Sequence, residues 1–356
     1  MKLLQAVLVG VGPFDKLVLP FADENGEARP VTVIHGAGGV GKSSVLAAIA
    51  STRPGHCVVM PSRLDAHDSA PAAPSFAVCE WALGHDEPAR PHPLTVASPN
   101  ARLSANDEAE GLRRREQALF DRAAQDGGFA FLSISSARWF SRQPIAFSAP
   151  ARTVARYDVR GGISASTSVD DASRADLARE TKQALAYAVI AAALSAGNAE
   201  DPRRFDLLGE AMHSAVDVVL GLVGMSFRGL DPLSFEPRFG GHGRVLTFDA
   251  LPSRVRHLVA LAALAVRTLW AAYPDRDPRE SEGVVAVDEV DLHQDNQVQQ
   301  NLLGALQEAL PKAQWIVTTS SPVIAACAAA GAVFALRPLP EGNSVRVFTG
   351  EHARTH

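Results

Sequence analysis

The chain alternates short apolar runs with polar turns, and the period of each run separates strand from helix. Leu3 to Val11 and Leu17 to Phe21 read as strands parted by a turn, and a polar hairpin around Asn25-Gly26 leads into the continuous apolar strand Val31 to Ile34. A helical run, Ser44 to Ala50, follows a glycine-rich turn. Residues 54 to 100 are rich in proline, with extended stretches at Cys57 to Met60, Phe76 to Leu83 and Leu94 to Ala97, a pattern that suits an antiparallel sheet. Ser104 to Gln125 turns helical until Gly127-Gly128 stops it, and Phe129 to Ser135 is a buried strand running into Arg138-Trp139-Phe140.

Gly161 to Ser173 reads as a loop, followed by helices at Arg174 to Ser195 and Pro202 to Phe227. Leu233 to Phe239 and Val245 to Phe248 predict a hairpin, and Arg254 to Tyr273 a long amphipathic helix. The tail alternates strand Val284 to Val287, helix Asn296 to Leu310, strand Trp315 to Thr318, a helix near Pro322 to Ala330 and strand Val333 to Leu336. That order is a βαβαβ unit, hence a parallel sheet.

Composition narrows the class. With 47% hydrophobic and 21% charged residues the chain has enough apolar surface to fold, unlike a disordered protein. Thirty-four basic against 39 acidic residues, a net charge of -5, give no global electrostatic support for a nucleic-acid partner. Cys57, Cys79 and Cys327 lie far apart with no ligand spacing, so they predict core thiols in a reducing compartment. Met1 to Val11 lacks a small-residue cleavage pattern, and the runs Ala184 to Leu194 and Leu258 to Val266 are shorter than a membrane span needs. The expectation is a soluble, cytoplasmic protein without a membrane partner. His67, His85 and His92 show no metal-ligand spacing. Arg113-Arg114-Arg115 reads as a solvated helix face, and Trp139 and Phe140 as core.

The chemistry is carried by Gly36-Ala37-Gly38-Gly39-Val40-Gly41-Lys42-Ser43, which fits G-x-x-x-x-G-K-[ST] between an apolar strand and a helix that continues through Ser44. Glycines let backbone N–H groups approach phosphate oxygens, and the helix N-terminus favours their charge. Lys42 would bridge the β and γ phosphates of ATP, and Ser43 would ligate Mg²⁺. A dinucleotide reading from Gly10-Val11-Gly12 fails because Asp15 stands at the third glycine position. Val284 to Val287 then ends in Asp288-Glu289. There Asp288 would hold the Mg²⁺ shell, while Glu289 would act as general base toward the attacking water.

The run Asp288-Glu289-Val290-Asp291-Leu292-His293 and the later Trp315-Ile316-Val317-Thr318-Thr319-Ser320-Ser321-Pro322 resemble the end of the ABC-type ATPases of the SMC and OLD (overcoming lysogenization defect) group. In that group the pattern is DE-x-x-x-HLH, then a strand and TTHSP. The first strands, the early P-loop and the helical insertion before the second acidic motif are similar too, so the resemblance spans most of the chain. It implies an α/β P-loop NTPase, an ABC-type ATPase head with a mixed sheet and an inserted helical lobe. The expected division is 1-159 for the lobe with the P-loop and antiparallel sheet, 160-275 for the helical lobe and 276-356 for the lobe with the acidic motif and parallel strands. The implied activity is hydrolysis of ATP to ADP and phosphate, with ATP and Mg²⁺ bound by a head-to-tail homodimer.

Three positions depart from the group's pattern. Gly38 stands where Asn is usual, Ser320 replaces the switch histidine that senses the γ phosphate, and Arg254 occupies the glycine position of the signature in Leu251-Pro252-Ser253-Arg254. Ser253 predicts a helix N-cap with, in the family's arrangement, a phosphate contact in trans; Arg254 or Arg256 would act like an arginine finger. No Toprim-like acidic cluster follows the expected last strand at Leu336. OLD-related standalone ATPases imply a separate effector, a nuclease or toxin of antiphage or DNA-maintenance systems. The rival reading is a hydrolysis-poor nucleotide-binding scaffold, which Ser320 and Arg254 favour and Glu289 opposes.

Overall fold

The computed structural model describes residues 1–52, 75–83, 92–98, 101, 111, 115–120, 122, 128–145, 176–198, 203–241, 243–339 and 345–354. Strands β1 (Lys2–Val11) and β2 (Phe14–Pro20) pair antiparallel, and β3 (Val31–Gly36) leads into helix α1 (Lys42–Ser51). Strand β4 (Phe76–Ala82) joins β1 and β5 (Leu94–Ala97) to complete an antiparallel sheet ordered β2-β1-β4-β5.

The second sheet is the frame of the molecule. Strand β6 (Phe131–Ile134), β10 (Gly283–Val287), β11 (Ala313–Thr319), β3, β12 (Val333–Pro338) and β13 (Val345–Phe348) form the order β13-β12-β3-β11-β10-β6, parallel except for β13. Successive residues of these strands fall alternately into two cores. Val285, Val287, Trp315, Val317, Val333 and Ala335 face one core. Val284, Ala286, Ile316, Phe334 and Leu336 face the other, together with α1 and the antiparallel sheet. Being buried on both faces is what makes the strands continuous apolar runs in the sequence. Buried Gln314 ties the sheets: its Nε2 donates to Leu3 O at 2.9 Å and its Oε1 accepts from Leu3 N at 2.7 Å, where β1 shifts register against β4.

The first core is completed by helices α2 (Ala178–Asn198), α3 (Arg203–Gly221), α4 (Ser253–Ala272) and α5 (Asn296–Ala309). α4 is long and apolar enough to cross a membrane by length and composition, more than its short apolar runs predict, yet it is buried within the protein. A three-stranded sheet, β7 (Met225–Leu230), β8 (Pro237–Gly241) and β9 (Arg244–Thr247), lies between α3 and α4 in the chain. Helix α6 (Pro322–Cys327) connects β11 to β12.

Several sequence expectations are corrected. The helix expected to reach Phe227 ends at Gly221, because Gly224 turns left-handed at φ 65° and the chain re-enters as β7. The strand expected from Leu233 starts only at Pro237, since Asp231 Oδ1 accepts from the N–H groups of Leu233 and Ser234 and folds them into a turn. Leu336 is not in the last strand, because β13 pairs back on β12. Helix α6 stops at Cys327, short of Ala330, and Cys327 is exposed rather than core. Trp139 is 48% exposed; only Phe140 packs against the core. Cys57 to Met60, His67, His85, Arg113, Arg114, the loop Gly161 to Ser173 and most of Ser104 to Gln125 lie outside the described residues.

Candidate nucleotide site

The end of β3 sets the P-loop. Gly36 packs so tightly under β12 that a Cβ there would stand 2.6 Å from the carbonyl oxygen of Leu336. Ala37, Gly38 and Gly39 form the exposed outer arc, and buried Val40 pins its return into the second core. Gly41 caps α1 in a left-handed conformation at φ 93°, with space for a Cβ already taken by Pro13. The Gly38 backbone is not left-handed, and a Cβ added there would meet none of the described residues beyond its chain neighbours within 4 Å, so its side chain position is open. Ser44 lies half-buried beside Gly12.

Lys42 is buried, and its Nζ donates to Gly36 O at 2.8 Å and Ala37 O at 2.7 Å. Burial pushes its pKa below the ordinary lysine value, while Asp288, Glu289 and Asp291 pull it back up. On the first turn of α1, Ser43 Oγ donates to Asp288 Oδ2 at 2.7 Å across 245 positions. The expected phosphate and metal residues therefore meet. Asp288 Oδ1 also accepts from Thr318 Oγ1 at the end of β11.

Glu289 follows with a positive φ of 45°. Its N–H donates to Thr318 Oγ1 at 2.8 Å, and its carbonyl accepts from Arg138 Nη2 at 2.6 Å. Burial lowers the Arg138 pKa to about 10 against the pull of Asp288, Glu289 and Asp291. Thr319 Oγ1 donates to Asp291 Oδ1. Sequence reasoning gave no role to Thr318, Thr319 or Arg138, because most of their partners are main-chain groups or carboxylates of another strand end. Ser320 is exposed immediately after β11, and the next residue, Ser321, caps α6 and donates to Gln299 Oε1 at 2.6 Å.

The signature segment is placed differently from expectation. Ser253 does not cap α4: Pro252 holds the cap position, its carbonyl accepts from Val255 and Arg256, and among the described residues no side chain caps the helix. Ser253 is the first helical residue, and its carbonyl lies 2.8 Å from His257 Nδ1. Arg254 Nη1 donates to Asp295 Oδ2 at 2.6 Å, and Gln294 Nε2 to Arg254 O at 3.1 Å. Among the described hydrogen bonds, Arg254 joins the loop after Asp291, whereas that of Ser253 stays within its own helix. Arg256 lies over the Phe140 ring, 5.5 Å from its centroid.

These residues fit a magnesium nucleotide. Ser43 Oγ and the Asp288 carboxylate are hard oxygen donors of the kind Mg²⁺ takes. The space beside Gly38 and Gly39 is open at the tip of a helix N-terminus, and a polyphosphate there would offset the desolvation of the Lys42 ammonium.

No family model matches the chain. Solved structures do. The SMC head bound to the C-winged helix domain of ScpA aligns over 99% of both chains with a TM-score of 0.56 and 16% identity. The SMC head domain from Thermotoga maritima covers 99% of this chain and 100% of its own at TM-score 0.50 and 15% identity. The SMC head with an extended coiled coil, bound to the C-terminal domain of ScpA from Pyrococcus furiosus, covers 98% of this chain and 96% of its own, with TM-score 0.52 and 15% identity. The chain thus has the mixed α/β P-loop fold of SMC head domains, matched along nearly its whole length.

Proposed function

We propose that the chain binds Mg²⁺-ATP and hydrolyses it to ADP and phosphate as a nucleotide-driven dimer that controls a separate protein. The observation that carries this reading is the 2.7 Å hydrogen bond from Ser43 Oγ to Asp288 Oδ2, which joins the end of the P-loop to the acidic end of the adjoining strand system. The loop from Gly36 to Ser44 would hold the phosphates, Lys42 would turn from its carbonyl partners to the β and γ oxygens, and Ser43 and Asp288 would hold Mg²⁺, which supplies charge neutralisation there. Glu289 would take the proton of the water that attacks the γ phosphorus as the bond to the ADP oxygen breaks.

The dimer and the partner rest on the fold and the family resemblance. Two of the similar SMC heads are complexes with ScpA domains. For this chain we propose a separate effector, a nuclease or toxin of the kind found beside OLD-related standalone ATPases in antiphage or DNA-maintenance systems, working in the cytoplasm. Its net charge of -5 gives nucleic acid no support. A hydrolysis-poor scaffold is the second reading, favoured by Arg254 being paired within its own chain and by Ser320, which cannot titrate near neutral pH.

The deciding experiment measures Mg²⁺-ATP affinity and phosphate release for wild type, Lys42→Ala and Glu289→Gln. Lys42→Ala loses most of the affinity, and Glu289→Gln keeps affinity and reduces turnover to a small residual rate. Unchanged affinity in the first removes the reading; a wild type that binds without turnover leaves the scaffold.

A further inference from the structure

We propose that Arg138 is a positioning residue for the ATPase reaction, a guanidinium clamp that fixes the main chain of Asp288 and Glu289 and through it the direction of the Glu289 carboxylate. The inference rests on the reading of Glu289 as general base.

The parallel ladder explains why a clamp is needed. β10 ends in register with its neighbours: Asp288 N donates to Ile134 O at 2.9 Å and Val290 N to Thr318 O at 3.0 Å. Between them Glu289 leaves the β region, with φ at 45°, a conformation that L residues rarely adopt and that persists only where surroundings impose it. The ladder does not satisfy its peptide groups, so side chains do. Thr318 Oγ1 takes the N–H at 2.8 Å. On the other side Arg138, only 5% exposed, donates Nη1 to Asp288 O at 2.5 Å and Nη2 to Glu289 O at 2.6 Å, with Nη1 also reaching Ser135 O at 3.0 Å. Two parallel N–H groups on two successive carbonyls is a geometry the planar guanidinium presents and an ammonium does not.

The clamp is itself held. Trp139 O accepts from Leu177 N at 3.0 Å, and Phe140 packs edge-on against Phe248 and His257 at centroid distances of 5.8 and 4.9 Å. Arg138 also neutralises part of a cluster in which Asp288, Glu289 and Asp291 outnumber Lys42. A role in charge alone would be met by any cation, whereas a clamp requires the fork. Since misplacing a reacting group by about 1 Å costs roughly a hundredfold in rate, loss of the clamp falls on turnover rather than on binding.

The test uses Arg138→Lys and Arg138→Ala in the full chain, each also in the Glu289→Gln background, with ATP affinity measured by nucleotide titration and kcat by phosphate release. Arg138→Lys and Arg138→Ala both lower kcat at least tenfold, with the Mg²⁺-ATP dissociation constant within threefold of wild type. In the Glu289→Gln background neither lowers the residual rate further, because the base through which Arg138 acts is gone. The proposal is overturned if Arg138→Lys retains wild-type kcat, if affinity falls as far as kcat, or if the losses multiply with that of Glu289→Gln. If Arg138→Ala does not fold, Arg138→Lys alone decides by the same criteria. Failure of the underlying reading is seen separately, as a Glu289→Gln protein that turns over ATP like wild type.

Discussion

Arg254 and Asp295 form an ion pair of 2.6 Å that ties the first turn of α4 to the start of α5 within one chain. Asp295 shares its carboxylate, since Oδ1 also caps α5 by accepting from Val298 N at 3.0 Å. Both side chains are about half exposed, so the pair is worth only about 0.5 kcal/mol and is readily exchanged for another anion. If Arg254 exchanges Asp295 for a partner chain's γ phosphate, Arg254→Ala lowers turnover about tenfold, equivalent to about 1.4 kcal/mol, and weakens the ATP-bound dimer. Asp295→Asn keeps the helix cap, frees the guanidinium and raises turnover about twofold. Phosphate release and light scattering with ATP check both; wild-type values for both variants would leave Arg254 as an internal tie.

The glycines of the P-loop are unequal. Gly38 has open space around it, so Gly38→Asn, the residue usual in the resembling group, should change stability by less than about 0.5 kcal/mol and ATP affinity by less than about threefold. Gly41→Ala adds a left-handed L residue, costing about 1–2 kcal/mol, and drives its Cβ to 2.6 Å from Pro13 Cδ and 2.7 Å from Phe14 Cε2, costing about 1–3 kcal/mol more. Urea midpoints of the two variants check the contrast.

The P-loop and its flanking strands were legible because their signal is local: a strand buried on both faces is a continuous apolar run, and the glycine pattern follows it directly. Asp288-Glu289 was legible for the same reason. The supports of the site were not. Arg138 meets its carbonyls across 150 and 151 positions, and a lone arginine after a strand carries no pattern that announces main-chain partners. The α3 to β7 junction was misread because Val218 to Phe227 stays apolar through both elements, and two glycines, not a change of period, end the helix. At α4 the sequence favoured a serine cap, but Pro252 carries the carbonyl that opens the helix and moves Ser253 one position inside.

Thr318 joins the two acidic residues. Its hydroxyl donates to Asp288 Oδ1 and accepts from Glu289 N, and it is wholly buried. Thr318→Val keeps the shape and strands the Glu289 N–H, a penalty of about 1–3 kcal/mol in stability, with turnover falling at least tenfold. Thr318→Ser restores both bonds and should recover most of the turnover. Thermal unfolding alongside phosphate release separates the two effects: equal kcat in the Val and Ser variants would remove Thr318 from the positioning of Glu289.

Acid should destabilise the first core through His257. The ring is 3% exposed, lies against Phe140 and His293 with centroids 4.9 Å away in each case, and has Nδ1 at 2.8 Å from Ser253 O. That carbonyl can only accept, so Nδ1 carries the proton of the neutral ring, and buried Nε2 has no hydrogen-bond partner among the described residues. Burial chiefly, with the nearby Arg138, His293 and Arg256, lowers the pKa from 6.5 to about 4, against an opposing contribution from the Ser253 carbonyl. Between these values the unfolded chain binds the proton and the folded one does not, so stability rises with pH there and is lost as pH falls from about 6.5 toward 4. At pH 5.0 the loss from this group is about 2 kcal/mol. His257→Gln removes the titration, so the difference in urea-unfolding free energy between pH 7.5 and 5.0 should shrink by about that amount relative to wild type, other groups contributing equally to both proteins. An unchanged difference would assign the acid sensitivity to groups other than His257.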